Sequence, residues 1–274
     1  MQRFTTSDGL SLAYLDQGQG TAVLCLAGLT RDHHDFDEMA VHLPDIRLIR
    51  LDARGRGQSD WDPNPMNYSA PFEARDALEL LDHLGLEKAA VIGTSRGGIL
   101  AMLLAVMARK RLSGVLLNDV GPVIERPALE LIVGFLGHNP AYRNYEEAAA
   151  KYPDFCVGFA NVPPERWQVE VRRLWQETES GLKIRYDPAL KVQAKASLDA
   201  PDAHLWPLFD AFAGLPLALL RGANSTLLSP KTAAEMQRRR PDMLFAEVPD
   251  RAHIPFLDEP ESLDIINKFL AKLA

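Results

Sequence analysis

A chain of 274 residues with 47% hydrophobic and 24% charged residues has the makeup of an ordinary globular protein with a substantial core. Its net charge of −7 argues against nucleic acid as the main partner, and its longest apolar run falls well short of a membrane span of about 20 residues. Cys25 and Cys156 are too few for a disulfide framework and residues 1–9 hold no apolar signal segment, so free thiols and a cytoplasmic location are expected.

Residues 3–6, a turn at Ser7-Asp8-Gly9 and residues 10–16 read as a β-hairpin. Apolar runs at 22–26, 47–51 and 89–93 read as strands. Before the third lies a helix with Pro71 in its first turn. It carries Ala74, Ala77, Leu78, Leu81 and Leu84 at helical spacing, and Gly85 stops it. A second helix follows Ser95, apolar all round as a buried helix is, and ends in Arg109-Lys110-Arg111, cations that suit its negative end. After a strand at 114–118 the rhythm changes. Residues 124–212 are mostly helical in pattern and hold Trp167, Trp175 and Trp206. Strands at 217–221 and 244–248 then alternate with a helix opened by Ser229-Pro230 and a closing helix with Leu263, Ile266, Phe269, Leu270 and Leu273 on one face. The basic cluster Arg238-Arg239-Arg240 is expected to complement the end of its own helix, not to bind phosphate.

Such alternation implies an α/β fold with a mostly parallel sheet covered on both sides. The helical block interrupts strands of one sheet, so it reads as an insertion. The expected organisation is a core of residues 1–122 and 213–274 with a helical cap at 123–212. Apolar cap residues such as Phe135, Trp167 and Trp206 are expected to set substrate choice.

Gly93-Thr94-Ser95-Arg96-Gly97 sits directly between a strand and a helix. This is the pattern of a nucleophile elbow, in which the turn is so tight that only glycine fits on either side of a strained, exposed serine. Two other segments invite chemistry that they do not support. Asp32-His33-His34-Asp35-Phe36-Asp37-Glu38 has metal-ligand residue types without metal-site spacing, and reads as loop and helix-capping groups. The stretch from Asp52 to Ser59 has glycines at 55 and 57 but lacks the lysine and following helix of a phosphate loop.

Taken together, Leu26-Ala27-Gly28-Leu29-Thr30, Asp52-Ala53-Arg54-Gly55-Arg56-Gly57-Gln58-Ser59, the elbow and Asp250-Arg251-Ala252-His253-Ile254-Pro255 resemble the α/β-hydrolase superfamily, specifically its capped ester and lactone hydrolases. The resemblance implies Ser95 as nucleophile and His253 as its base, since a serine hydroxyl needs a partner to take its proton. It implies backbone N–H groups of Leu29 and Arg96 as the oxyanion hole. The family usually has a histidine where Ala27 stands, which bears on the rigidity of that loop. His42, His83, His138 and His204 fall in helices or cap and are expected to face solvent.

The acid departs from the pattern. The family commonly carries it in the loop Gly222-Ala223-Asn224-Ser225-Thr226-Leu227-Leu228, where Thr226 stands in its place. Some relatives carry it one strand earlier, at Asp119 here, while Asp250 is too close in sequence to His253. The expectation is a serine hydrolase of a small ester or lactone with Ser95, His253 and Asp119, without cofactor or metal. Its partner is then a small-molecule substrate, with no nucleic acid or membrane, as a monomer or a homo-oligomer. Carbon–carbon bond hydrolysis of a diketone-type substrate, which uses the same triad, stays open. So does a non-catalytic ligand-binding protein on the same fold.

Overall fold

The computed structural model describes residues 1–200 and 205–273. The expected hairpin is β1 (Gln2–Thr5) and β2 (Ser11–Gln17), and the apolar runs become β3 (Ala22–Leu26), β4 (Arg47–Leu51), β5 (Ala89–Thr94) and β6 (Leu112–Asn118). A small antiparallel hairpin, β7 (Trp175–Thr178) and β8 (Gly181–Ile184), lies in the block expected to be mostly helical. Strands β9 (Leu217–Gly222) and β10 (Leu244–Val248) complete the main sheet, whose order is β1-β2-β4-β3-β5-β6-β9-β10. From β4 to β10 every pairing is parallel, while β1–β2 and β2–β4 are antiparallel.

The helices in chain order are α1 (Asp37–Val41), α2 (Ala70–His83), α3 (Arg96–Ala108), α4 (Arg126–Phe135), α5 (Tyr145–Lys151), α6 (Pro164–Leu174), α7 (Leu190–Asp199), α8 (Trp206–Asp210), α9 (Pro230–Arg239) and α10 (Pro260–Ala271). Leu80 of α2, Leu100 of α3, Phe209 of α8 and Met236 of α9 share one buried cluster with β3, β5 and β6. Met39 of α1 and Ile265, Ile266 and Phe269 of α10 share another with the residues on the sheet's opposite face. Both faces are therefore covered, as parallel strands with apolar residues on each side require. Helix α3 departs from its expected all-round burial: Val106 and Met107 in its last turn are exposed. No helix among the described residues is long and apolar enough to cross a membrane.

Helices α4 to α7 and the β7–β8 hairpin lie in sequence between β6 and β9, which pair with each other. They contribute to two small buried clusters, one shared with Tyr68 ahead of α2 and one made of their own residues. Val133, Leu136 and Leu190 gather with Tyr68 and Tyr186, while Trp167 and Val171 gather with Ala148, Ala149 and Leu182. The end of the expected helical block is different in kind, because Phe209 and Phe212 are fully buried in the main core. Cys25 and Cys156 are free thiols, and burial pushes their pKa values up to about 12 and about 11, which favours the protonated form.

The first turn of α3 is pressed onto β3. A Cβ on Gly97 would overlap the Leu26 backbone carbonyl, whereas one on Gly134 in α4 would meet nothing within 4 Å. Gly97→Ala is expected to lose at least about 2 kcal/mol in urea unfolding. Gly134→Ala is expected to gain up to about 1 kcal/mol, as glycine-to-alanine changes in open helix positions do.

Candidate active site

Ser95 stands between the end of β5 and the first residue of α3 with φ 49° and ψ −111°, outside the regions that L-residues favour. What holds it there is close packing. A Cβ on Gly93 would come within 2.6 Å of the Gly97 carbonyl oxygen, and one on Gly98 would collide with Val120. The Ser95 N–H donates to the Asn118 carbonyl at 3.0 Å, which ties the turn to the end of β6. The serine thus lies at the N-terminus of α3, where the helix dipole favours negative charge.

His253, on the loop between β10 and α10, reaches this serine: its Nε2 is 2.9 Å from Ser95 Oγ. Its Nδ1 is 2.7 Å from Oδ2 of Asp119, which directly follows β6 and is fully buried. A carboxylate can only accept, so Nδ1 carries the ring proton. That leaves the Nε2 lone pair to take the serine proton. Asp119 accepts two further hydrogen bonds, from Ser225 Oγ at 2.6 Å to Oδ2 and from Gly222 N–H at 2.9 Å to Oδ1. Thr226, where the usual acid was expected, is exposed, and it is the preceding Ser225 that turns inward to Asp119. Asp250 accepts from Asn161 Nδ2 at 2.7 Å instead of facing His253. His42, His83 and His138 are exposed, and His204 lies outside the described residues.

Two backbone donors border the serine. Among the described residues, the N–H groups of Leu29 and Arg96 have no hydrogen-bond acceptor. A Cβ on Gly28 would lie 4.0 Å from Ser95 Cβ and 3.3 Å from Arg31 Cγ, so the turn carrying Leu29 abuts the serine. The Arg56 guanidinium, which the sequence reading did not single out, donates from Nε to the Leu29 carbonyl at 2.7 Å. Nothing in local spacing marks it.

The flanking acidic and histidine-rich segment is accounted for by internal hydrogen bonds. Ligand atoms of Asp32, His33 and His34 come within 4.8 Å of one another. Each histidine Nδ1 is nevertheless bonded to a carboxylate, His33 to Asp52 at 2.8 Å and His34 to Asp32 at 2.7 Å. Asp32 also caps the short helical turn that follows it, and Asp52 accepts from the Gln58 N–H at 2.9 Å. Burial alone would raise the Asp32 carboxyl, but the His34 hydrogen bond and charge outweigh it and bring its pKa down to about 2. The Asp32 hydrogen bond raises His34 in turn.

The insertion is tied to this region by charge. Glu170 of α6 accepts from Arg31 at 2.9 Å, Arg173 pairs with Glu38, and Arg166 pairs with Asp258. On its other side, Asp187 N–H donates to the Gly55 carbonyl at 2.8 Å and the Tyr68 hydroxyl donates to the Asp187 carboxylate. Of the cap residues expected to face substrate, Phe135 is 67% exposed, Trp167 is buried in the insertion's own cluster, and Trp206 packs beneath Arg239.

A family model described as alpha/beta hydrolase fold matches residues 21–260. The chain is 34% identical to the 3-hydroxybutyrate-oligomer hydrolase of Cupriavidus necator, over 93% of this chain and 89% of that one. It is 25% identical to the 2-(acetamidomethylene)succinate hydrolase of Mesorhizobium japonicum, over 95% of this chain and 92% of that one. The crystal structure of an alpha/beta hydrolase from Novosphingobium aromaticivorans superimposes with a TM-score of 0.92 at 35% identity, covering 99% of this chain and 97% of that one.

The His34–Asp32 pair gives a pH prediction. A histidine raised in the folded state stabilises it fully below its unfolded pKa, and that contribution is lost as pH rises through the folded value. Followed by NMR, His34 should titrate above the reference of about 6.5, and Asp32→Asn should return it toward that reference.

Proposed function

The chain belongs to the α/β-hydrolase family, and on that premise we propose that it is a serine hydrolase cleaving a small ester or lactone through an acyl-enzyme. The observation that carries this reading is the continuous relay from Ser95 Oγ through the imidazole of His253 to the buried Asp119, at 2.9 and 2.7 Å. Ser95 Oγ attacks the carbonyl carbon while Nε2 takes its proton. The carbonyl oxygen becomes an oxyanion held by the Leu29 and Arg96 N–H groups. As the tetrahedral adduct collapses, the imidazolium returns the proton to the departing alkoxide. Water then gives a proton to Nε2 and attacks the acyl-enzyme, and as this second adduct collapses the imidazolium returns that proton to Ser95 Oγ, which releases the acid and restores the free serine.

The relative named for hydrolysis of 3-hydroxybutyrate oligomers favours ester cleavage over the diketone alternative. The carboxylate of Asp119 against His253 favours catalysis over a non-catalytic binding protein, although Thr226 stands at the family's usual acid position. Residues 123–212, whose Glu170 meets Arg31 and whose Asp187 meets Gly55, act as a cap beside the site.

A fluorophosphonate should label Ser95 stoichiometrically, and Ser95→Ala should abolish both labelling and ester turnover. An unlabelled, folded wild type would sink the serine reading. Activity should fall on acidification, because a protonated imidazole cannot accept the serine proton; a flat profile under chemistry-limited conditions would remove His253 as base.

In Asp119→Asn the NH₂ group meets either the ring N–H, which disfavours the required tautomer, or the Gly222 N–H, donor against donor, and both placements remove the charge opposite the imidazolium. Its kcat should drop by roughly 10⁴ while the protein stays folded. Ser225→Ala removes one hydrogen bond of about 1 kcal/mol and should cost up to about tenfold. Thr226→Ala should leave kcat unchanged.

A further inference from the structure

Behind Ser95 runs a buried chain of charges that the relay does not use. Arg56 and Glu73 are each 1% exposed at the side chain. Arg56 Nη1 donates to Glu73 Oε1 at 2.6 Å, and Glu73 Oε2 accepts from Arg96 Nε at 2.7 Å. The two carboxylate oxygens are thus divided between two guanidinium groups. Each guanidinium also grips backbone: Arg56 the carbonyls of Leu29 at 2.7 Å and Arg54 at 2.6 Å, Arg96 the carbonyl of Tyr68 at 3.2 Å.

The chain reaches Leu29 through Arg56 at one end and closes on Arg96 at the other, the two residues whose N–H groups have no acceptor among the described residues. At Leu29 both flanking peptide groups are held. The Gly28 carbonyl, in the same planar peptide as the Leu29 N–H, accepts from Arg31 N–H at 3.1 Å, and the Leu29 carbonyl is held by Arg56. In a trans peptide the N–H points opposite to the C=O, so fixing these carbonyls fixes where the N–H points. At the other end, Glu73 anchors the side chain of Arg96 in the first turn of α3.

Stability alone does not account for so much buried charge, since a packed apolar cluster of equal volume holds a fold as well or better. Burial presses the Arg56 guanidinium below its ordinary pKa despite Glu73. Burial would raise Glu73, but Arg56 and Arg96 outweigh it and hold the carboxyl below the usual glutamate value. The chain itself holds two cations that share one anion.

We propose that the Arg56–Glu73–Arg96 chain positions the two backbone donors beside Ser95, with Arg56 and Glu73 as positioning residues for the oxyanion. The proposal rests on the serine-hydrolase reading above. It predicts that breaking the chain weakens binding of the tetrahedral adduct more than binding of the substrate. A purely structural role would lower the folded fraction and leave each remaining site normal.

The test compares full-length wild type with Glu73→Gln, Arg56→Lys and Arg96→Met. Sites are counted by fluorophosphonate labelling, folding is followed by circular dichroism, and kcat and KM are measured on a p-nitrophenyl ester. Affinity is measured for a trifluoromethyl ketone, whose adduct with a serine carries the oxyanion. The expected result is a loss in kcat per labelled site of about 10- to 10²-fold, short of the loss of a whole donor, with KM near its wild-type value and ketone affinity falling in parallel. If Arg56→Lys or Glu73→Gln fails to fold, Arg96→Met, which removes the least buried arm, decides the question. Folded variants with wild-type kcat per site and ketone affinity would overturn the positioning role while leaving the serine reading intact. A wild type that takes neither fluorophosphonate nor ketone would overturn both.

Discussion

The contact between the first turn of α3 and the end of β3 sets the geometry on which the site depends. Gly97 lies against the Leu26 carbonyl and Gly98 against Val120, at distances that admit no side chain. This close approach forces the chain to reverse within one residue, and Ser95 takes up the reversal at positive φ. Strain of that kind costs of order 1–3 kcal/mol and persists only where the surroundings over-determine it. Here β5 is buried along its whole length and paired on both sides. The serine hydroxyl, the helix N-terminus and the turn at Gly28 are brought together by this one steric fact.

Around that apolar contact the protein uses charge to hold loops that have no ladder to hold them. Arg54, fully buried, donates to Asp76 and to Asp62 at 2.6 Å, fastening the 54–62 segment to α2. Arg221 donates to the carbonyls of Leu228 at 2.9 Å and Ser225 at 3.2 Å, which shapes the loop that delivers Ser225 to Asp119. The insertion is joined by ion pairs on one side and by the Tyr68–Asp187 hydrogen bond on the other. Such contacts are directional, so they fix loop orientation in a way that apolar packing does not.

Much of this was legible in the residues because it depends on local pattern. Apolar runs gave strands within a residue or two: the third ends at Thr94 and the one expected from 114 begins at Leu112. The elbow was readable because its glycines, serine and flanking elements lie within one short stretch. Ser95, Asp119 and His253 follow β5, β6 and β10, whose shared parallel direction brings them to the same end of the sheet, and there they are in contact. What was not legible depends on turn geometry or on distance in sequence. Whether Ser225 or Thr226 faces Asp119 is decided by the path of one loop, not by residue type. Glu73 meets Arg56 from 17 positions away and looks in sequence like an ordinary first-turn helix glutamate. The β7–β8 hairpin escaped because its strands are four residues each without alternating burial, and Leu182 is the only residue of the two that is buried.

The position of His253 has a consequence for how this molecule fails. The loop that carries it follows β10, which lies at the end of the sheet and pairs with β9 alone. An edge strand gives up one ladder when it opens, whereas the strands bearing Ser95 and Asp119 would each give up two. Opening of β10 and α10 therefore costs less free energy than unfolding the whole chain. α10 packs Ile266 and Phe269 in the same buried cluster as Leu116 of β6 and Leu220 of β9, so the opening that carries the imidazole away also bares one face of the sheet that holds Asp119.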